Sequence, residues 1–226
     1  MQIALDRVLM PAVGAGALPP LLRLWELRDE AVVVGIAQKP DGYVERAACA
    51  ADGLPVLRRF SGGGTVCIIK GCVVFSVIMP LGGALAAYDV SGAYQHILSP
   101  AIAALCRVNI PAGLEPPCDM VVQGRKIAGC AQAQKRGAVL VHGSVLVDAD
   151  IARIERYLKH PDVAPRYRAG RAHAQFVQNL SAYGMTEHTL RGLLAGAWAP
   201  EGVSRLVADE HLREAEASCD VYAPRV

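Results

Sequence analysis

Short aliphatic runs punctuated by glycine-marked turns fill the first 150 residues, and they restrict the fold more than any other feature of this chain. Residues 21–28 and 31–36 read as strands rich in Val and Leu, separated by Asp29 and Glu30. Another strand begins at residues 54–57. Residues 65–69 and 73–79 are β-branched and flank Lys70-Gly71, a hairpin signature. Residues 119–123 and 126–129 flank Gly124-Arg125 and predict a second hairpin. Residues 138–148 predict an apolar strand interrupted at His142-Gly143. Helical patterns are fewer: 43–52 with Gly53 as its stop, 84–108 kinked or split at Pro100, 149–159, a short one near 187–198 and a weaker one around 208–217. Strands joined by turns do not make a regular βαβ array. The expected fold is α/β (α+β), with a mixed, largely antiparallel central sheet flanked by helices.

A length of 226 residues suits one large domain, or one with a small appendage. Hydrophobic residues make up 53% and charged residues 19%, which excludes a disordered chain or a coiled coil. Lys and Arg total 23 against 21 Asp and Glu, so no field draws the whole molecule to nucleic acid or an anionic membrane. No apolar run reaches the roughly 18 residues of a bilayer span. Asp6 and Arg7 break the stretch a signal peptide would need, so the expected location is the cytoplasm. The seven cysteines are scattered, without a CxxC pair and far from the six histidines. Neither a disulfide framework nor a Cys/His metal site is expected.

Three segments carry candidate chemistry. In Arg58-Arg59-Phe60-Ser61-Gly62-Gly63-Gly64-Thr65, three glycines let backbone N–H groups crowd around an anion, and two arginines add fixed positive charge. A hairpin turn with two solvated arginines is the plainer alternative. The loop is not a Walker motif, because its glycines lead into a strand and GxxxxGK[ST] is absent. The stretch from Gly14 to Pro19 is not a dinucleotide fingerprint either. In the second segment, Lys126 opens a strand and is followed by the small residues Ala128, Gly129 and Ala131, which leave room for a ligand. An ordinary basic hairpin turn is the alternative. The third is His142-Gly143-Ser144, a histidine inside an apolar strand, where a hydrogen-bonded core histidine is the alternative.

Taken together and in order, RRFSGGGTV and GRKIAGCAQAQKRGAVLVHGSVLVD resemble the lipoate–protein ligase branch of the biotin/lipoate ligase and transferase superfamily. The likeness extends over Trp25 to Gln38 and over Pro165 to His173, and so spans residues 20 to about 180. It implies the superfamily's ligase catalytic-domain fold. It also implies ATP-dependent activation of lipoate or octanoate to an acyl-adenylate, then transfer to a specific lysine of a lipoyl-domain or H-protein-like carrier. Lys126 would be the catalytic residue, lying between the carboxylate and the α-phosphate and stabilising both. Arg59, Ser61, Gly62, Gly63, Gly64 and Thr65 would hold the acyl or adenylate end, with Ala128, Gly129, His142, Gly143 and Ser144 lining the same pocket. Asp119, Cys118, Arg168, Arg171 and His173 are secondary candidates, the last three as a cover for the adenylate or a dock for the carrier. Magnesium would arrive on the nucleotide phosphates, since no carboxylate cluster marks a protein-built site.

Two features depart from the pattern. Many members follow the third glycine with His-Asp-x-Gly-Asn, and here Cys67-Ile68-Ile69-Lys70-Gly71-Cys72 occupies that place. Cys130 replaces the usual Ser or Asn. Transferases of the superfamily use a cysteine nucleophile, for which Cys118 is the first candidate and Cys130 the second. Neither sits where those branches place it, so ligase ranks above transferase and Cys118 reads as a packing residue. A non-catalytic lipoyl-binding domain is a third reading, against which Lys126 argues. The resemblance divides the chain into a catalytic domain over 1–185 and a small helical extension over 186–226 packed on it. The extension is too short for the accessory domain many such ligases carry, so a separate accessory subunit is one expectation.

Overall fold

The computed structural model describes residues 2–25, 30–82, 85, 89–161, 164–199 and 221–222. Two sheets form its frame. The larger has six strands in the order β1 (Leu21–Trp25), β5 (Cys72–Pro80), β9 (Ala138–Leu146), β8 (Arg125–Lys135), β7 (Asp119–Val122) and β6 (Ala112–Glu115), each antiparallel to its neighbours. The smaller runs β10 (Val221–Tyr222), β3 (Val56–Arg58), β2 (Ala31–Val34) and β4 (Val66–Ile68), and its β2–β3 pair is parallel. The expected mixed, largely antiparallel α/β architecture is what forms.

The apolar patterns dictate how the layers stack. Helix α3 (Val90–Arg107) lays Ala93, Ile97, Leu98, Ala101 and Leu105 on one face of the large sheet. Helix α6 (Glu187–Trp198) adds Leu190 and Leu194 to the same core. On the opposite face, the small sheet brings Val32, Val34 and Cys67 against Val74 and Leu146. Helix α4 (Ile151–Tyr157) closes that layer with Ile154 and Tyr157. Helix α1 (Gln2–Gly14), for which no expectation was drawn, packs Leu5, Leu9 and Val13 against Leu21, Ile78 and Leu140. Strand β5 is therefore covered on both sides, which is why it reads as an unbroken apolar run rather than an alternating one. Among the described residues, no helix is long and apolar enough to cross a membrane.

Several expectations are corrected by the tertiary structure. The segments around 65–69 and 73–79 do not pair as a hairpin: β4 joins β2 and β5 joins β1 and β9. The cause is the turn between them. Gly71 has φ +90°, and its carbonyl accepts from Val147 and Asp148 N–H, so the turn is tied to the end of β9 and hands the chain from one sheet to the other. The strands near 21–28 and 31–36 likewise belong to different sheets, and residues 26–29 lie outside the described residues. Pro100 does not split α3, because it sits on the half-exposed side, where the carbonyl that loses its donor can meet water. Strand β9 runs through His142-Gly143 without interruption. The β7–β8 hairpin forms as expected, but it turns on Gln123-Gly124, both at positive φ, one residue earlier than predicted. Helices near 43–52, 149–159 and 187–198 form as α2 (Arg46–Ala51), α4 and α6, and the one expected around 208–217 falls outside the described residues.

Gly71→Ala tests the sheet-switching turn. An added Cβ would lie 2.3 Å from the Asp148 carbonyl oxygen, at a φ that disfavours alanine. The expected cost exceeds about 1 kcal/mol, read as a lower urea midpoint with an unchanged slope.

Candidate active site

The glycine loop connects β3 to β4, so both its ends are anchored in the small sheet. Its middle crosses to the large sheet, where Gly63 (φ +83°) packs beside Ala131 of β8. Arg59 shapes this crossing from below. It is buried, and its guanidinium donates to Ser61 Oγ at 3.0 Å, to the carbonyls of Gly62 and Gly64 at 2.6 Å each, and to Val33 at 3.3 Å. Desolvation pulls its pKa down to about 10, which still leaves it cationic at neutral pH. Arg58 braces the outside, donating to the carbonyls of Gly35 at 3.0 Å and Gln38 at 2.9 Å. Arg59 thus draws the Gly62 and Gly64 carbonyls inward, and the Gly62 N–H is held by the Gln132 carbonyl of β8 at 3.4 Å. Gly35 is required here, since a Cβ would lie 2.2 Å from the Gly63 oxygen.

Beneath the loop lies a buried polar chain. Helix α1 turns Asp6 wholly inward, where it pairs with Arg23 and accepts from Ser76 Oγ at 2.7 Å. His142 Nδ1 is 3.1 Å from the same carboxylate, and its Nε2 is 2.7 Å from Ser61 Oγ. Burial opposes the charge on Asp6, but Arg23, His142 and Ser76 outweigh it and hold the carboxyl below the usual range.

Lys126 faces the loop from β8. Its Nζ is 2.7 Å from one oxygen of Asp119, whose other oxygen accepts from Tyr167 at 2.6 Å. Gly129 leaves space for the ammonium, because a Cβ there would lie 3.0 Å from Nζ. Two cavities meet at this lysine. One, of about 380 Å³, runs from Gly63, Lys126, His142 and Ser144 into an apolar end formed by Ile3, Trp25, Val33, Ile68 and Val74. The other, of about 270 Å³, shares Gly64, Thr65, Lys126 and Ser144 and opens toward Gln38, Tyr43, Lys159, Arg168 and His173. Thr65 donates to Gln38 at 2.8 Å across its mouth.

The segment from Pro165 to Phe176 covers the second cavity. Arg168 and Arg171 stack on Phe176 at 4.9 and 5.5 Å, and Arg171 donates to the Gly124 carbonyl at 2.9 Å, tying the cover to the β7–β8 turn. His173, in α5 (His173–Phe176), has its pKa lowered to about 4 by burial and by the charges of Arg168 and Lys126.

The expected residues thus separate by position. Gly63, Gly64, Thr65, Lys126, Gly129, Gly143 and Ser144 line the first cavity, Ala128, Arg168 and His173 the second. Ser61 lies fully buried behind the loop, and Arg171 bonds backbone carbonyls of the cover. Cys118 and Cys130 reach the first cavity wall, but Cys118 Sγ donates to the Cys130 carbonyl at 3.0 Å, and burial with Asp119 raises its pKa. Burial likewise raises Cys130. Among the described residues, no three His, Cys, Asp or Glu side chains cluster to hold a metal ion. Residue-by-residue reading missed Asp6, Gln38 and Tyr167. For Asp6 the signal was available: it falls in helical phase with Leu9 and Val13, on a face that should be apolar.

Residues 1–193 match the family model described as the lipoyl protein ligase A/B catalytic domain. The chain belongs to this family. It is 30% identical over 155 residues to a probable lipoate-protein ligase A of Mycoplasma pneumoniae, covering 69% of this chain and 44% of that protein. It is 28% identical over 193 residues to octanoyltransferase LipM of Symbiobacterium thermophilum, covering 74% and 68%. The chain therefore spans less than half the length of the Mycoplasma relative. In fold it is similar to a bi-partite lipoate protein ligase of Thermoplasma acidophilum, with TM-score 0.79 and 21% identity over 96% of this chain and 85% of that one. A structure of lipoate-protein ligase A bound with ATP gives TM-score 0.80 and 21% identity over 95% and 87%.

The environment of His173 makes a pH prediction. Its folded pKa lies below the unfolded value, so the unfolded chain binds the extra proton, and its contribution to stability is lost as pH falls from about 6.5 to about 4. An NMR titration should place His173 near pH 4, and Lys126→Met should raise it. A normal histidine pKa at this position would contradict the buried, cation-flanked site.

Proposed function

We propose that this chain condenses lipoate or octanoate with ATP to an acyl-adenylate and passes the acyl group to a lysine of a lipoyl carrier domain. The observation that carries this reading is the position of Lys126, where an apolar-ended cavity and a polar one meet. An eight-carbon chain suits the end at Trp25, Val33 and Val74. The nucleotide suits the cavity bounded by Arg168, His173 and Lys159. The two anions then converge on one ammonium and on the amides of Gly63 and Gly64. The acyl carboxylate oxygen attacks the α-phosphorus, the bond from that phosphorus to the α,β-bridging oxygen breaks, and pyrophosphate leaves. Lys126 offsets the charge shared by carboxylate and phosphate at that moment. Asp119 holds Lys126 in place and is itself held by Tyr167. In the second step the carrier amine attacks the acyl carbonyl, an amide forms, and AMP departs.

Relatives named lipoate-protein ligase A support the reading, as does the similar fold bound with ATP. The Thermoplasma ligase is described alongside its E2 lipoyl domain as one lipoylation system, which supports a carrier of that kind. Its bi-partite nature supports an accessory chain beside this one, whose own catalytic unit we place at residues 1–185 with 186–226 as an extension. Magnesium enters this scheme on the nucleotide phosphates.

A transferase reading draws on the LipM relatives and on Cys118 at the cavity wall. It would need a thiolate, and burial disfavours one there.

Three measurements separate these readings. Pyrophosphate release with ATP and lipoate should be acid-dependent and fall on the order of 10²- to 10³-fold in Lys126→Ala, and premade lipoyl-AMP should acylate a lipoyl domain. If neither reaction occurs, the ligase reading fails. Mass spectrometry after incubation with an octanoyl-carrier thioester should find Cys118 and Cys130 unmodified, and a hydroxylamine-sensitive adduct lost in Cys118→Ser would establish the transferase instead.

A further inference from the structure

The geometry points to Asp6 as a positioning residue that sets the glycine loop through His142 and Ser61. The line Asp6–His142–Ser61, at 3.1 and 2.7 Å, has the spacing of a nucleophile–base–carboxylate relay. Ser61 is nonetheless no nucleophile: it is wholly buried, it does not line the cavity, and its oxygen already accepts from Arg59 Nε at 3.0 Å. The relay therefore works by fixing protons rather than by moving them.

The assignment follows from donors and acceptors. Asp6 is an ionised acceptor fixed by Arg23 and Ser76, and a carboxylate can only accept, so the proton of a neutral His142 ring sits on Nδ1 and is donated to Asp6. Nε2 is then bare and accepts the Ser61 hydroxyl hydrogen, while the Ser61 oxygen accepts from Arg59. Arg59, with its Nε occupied by Ser61, keeps its Nη2 on the Gly62 and Gly64 carbonyls. One carboxylate in α1 thus specifies the tautomer of a strand histidine, the rotamer of a loop serine and, through Arg59, the seat of the Gly62 and Gly64 carbonyls. Its effect on turnover rests on the acyl-adenylate reading above, whereas the tautomer does not.

The test uses the full chain labelled with ¹⁵N. Long-range ¹H–¹⁵N correlation should show His142 protonated at Nδ1 and bare at Nε2. In Asp6→Asn, Arg23 claims the amide oxygen and the amide nitrogen faces His142, so the proton should move to Nε2. Ser61 then loses its acceptor, and the adenylation kcat should fall roughly ten- to a hundredfold, the typical cost of losing a group that orients a histidine. Ser61→Ala provides a second arm if Asp6→Asn does not fold: it should keep the native tautomer and lose kcat to a similar extent. A native His142 protonated at Nε2 overturns the proposal, as does native kcat in either variant. Loss of all adenylation in the native chain would sink the proposed function, while the tautomer would still decide the relay.

Discussion

Arg59 is a buried cation satisfied by carbonyl oxygens and a hydroxyl rather than by a carboxylate. Burying a guanidinium costs several kcal/mol unless its donors are met. Here they are met by the glycine loop together with the Val33 carbonyl of β2, and the loop can wrap the cation only because Gly63 reaches φ +83° and Gly35 lacks a Cβ. The loop is therefore held from within. The Gly62 and Gly64 carbonyls face the buried guanidinium, and Gly63 and Gly64 line the cavity, so the loop is shaped before any ligand arrives. This preorganisation avoids a reordering cost at the moment charge develops.

The same loop joins the two sheets across their seam. Small-sheet strands β3 and β4 carry its ends, and β8 and β9 of the large sheet supply Lys126, His142 and Ser144. The seam places an apolar wall on one side of Lys126 and a basic, partly covered space on the other. Such a junction is what joining a greasy acid to a nucleotide phosphate demands. Asp119 stands at its centre, neutralising Lys126 and receiving Tyr167 from the cover, so the lysine and the cover are positioned by one carboxylate.

Much of this was legible beforehand, for physical reasons that differ by element. The glycine triplet is costly unless a backbone must approach closely or adopt positive φ, so it marked the loop directly. Lys126 followed by small residues marked an open space beside a charge, and in the structure Gly129 makes room for the ammonium itself. The helices expected over 149–159 and near 187–198 rest on local pattern, and in the structure Asp150 and Thr186 cap α4 and α6. The hairpin read at Lys70-Gly71 failed because its pattern reports two strands and a turn, but not which neighbours those strands choose. Asp6 was overlooked because a lone carboxylate in an apolar helix has meaning only through Arg23, His142 and Ser76, which lie 17, 136 and 70 residues away in the chain.

By itself the sequence determined the elements and the chemical inventory: antiparallel strands, a loop able to present amides, and a lysine with room around it. Those are local properties, set by propensity, periodicity and side-chain size. Only the tertiary structure decided that two sheets divide the strands, that Arg59 turns inward as a brace, and that a carboxylate from α1 stands behind the pocket histidine. Those outcomes depend on which surfaces meet and which buried charges must be compensated, and no short window of sequence contains both partners.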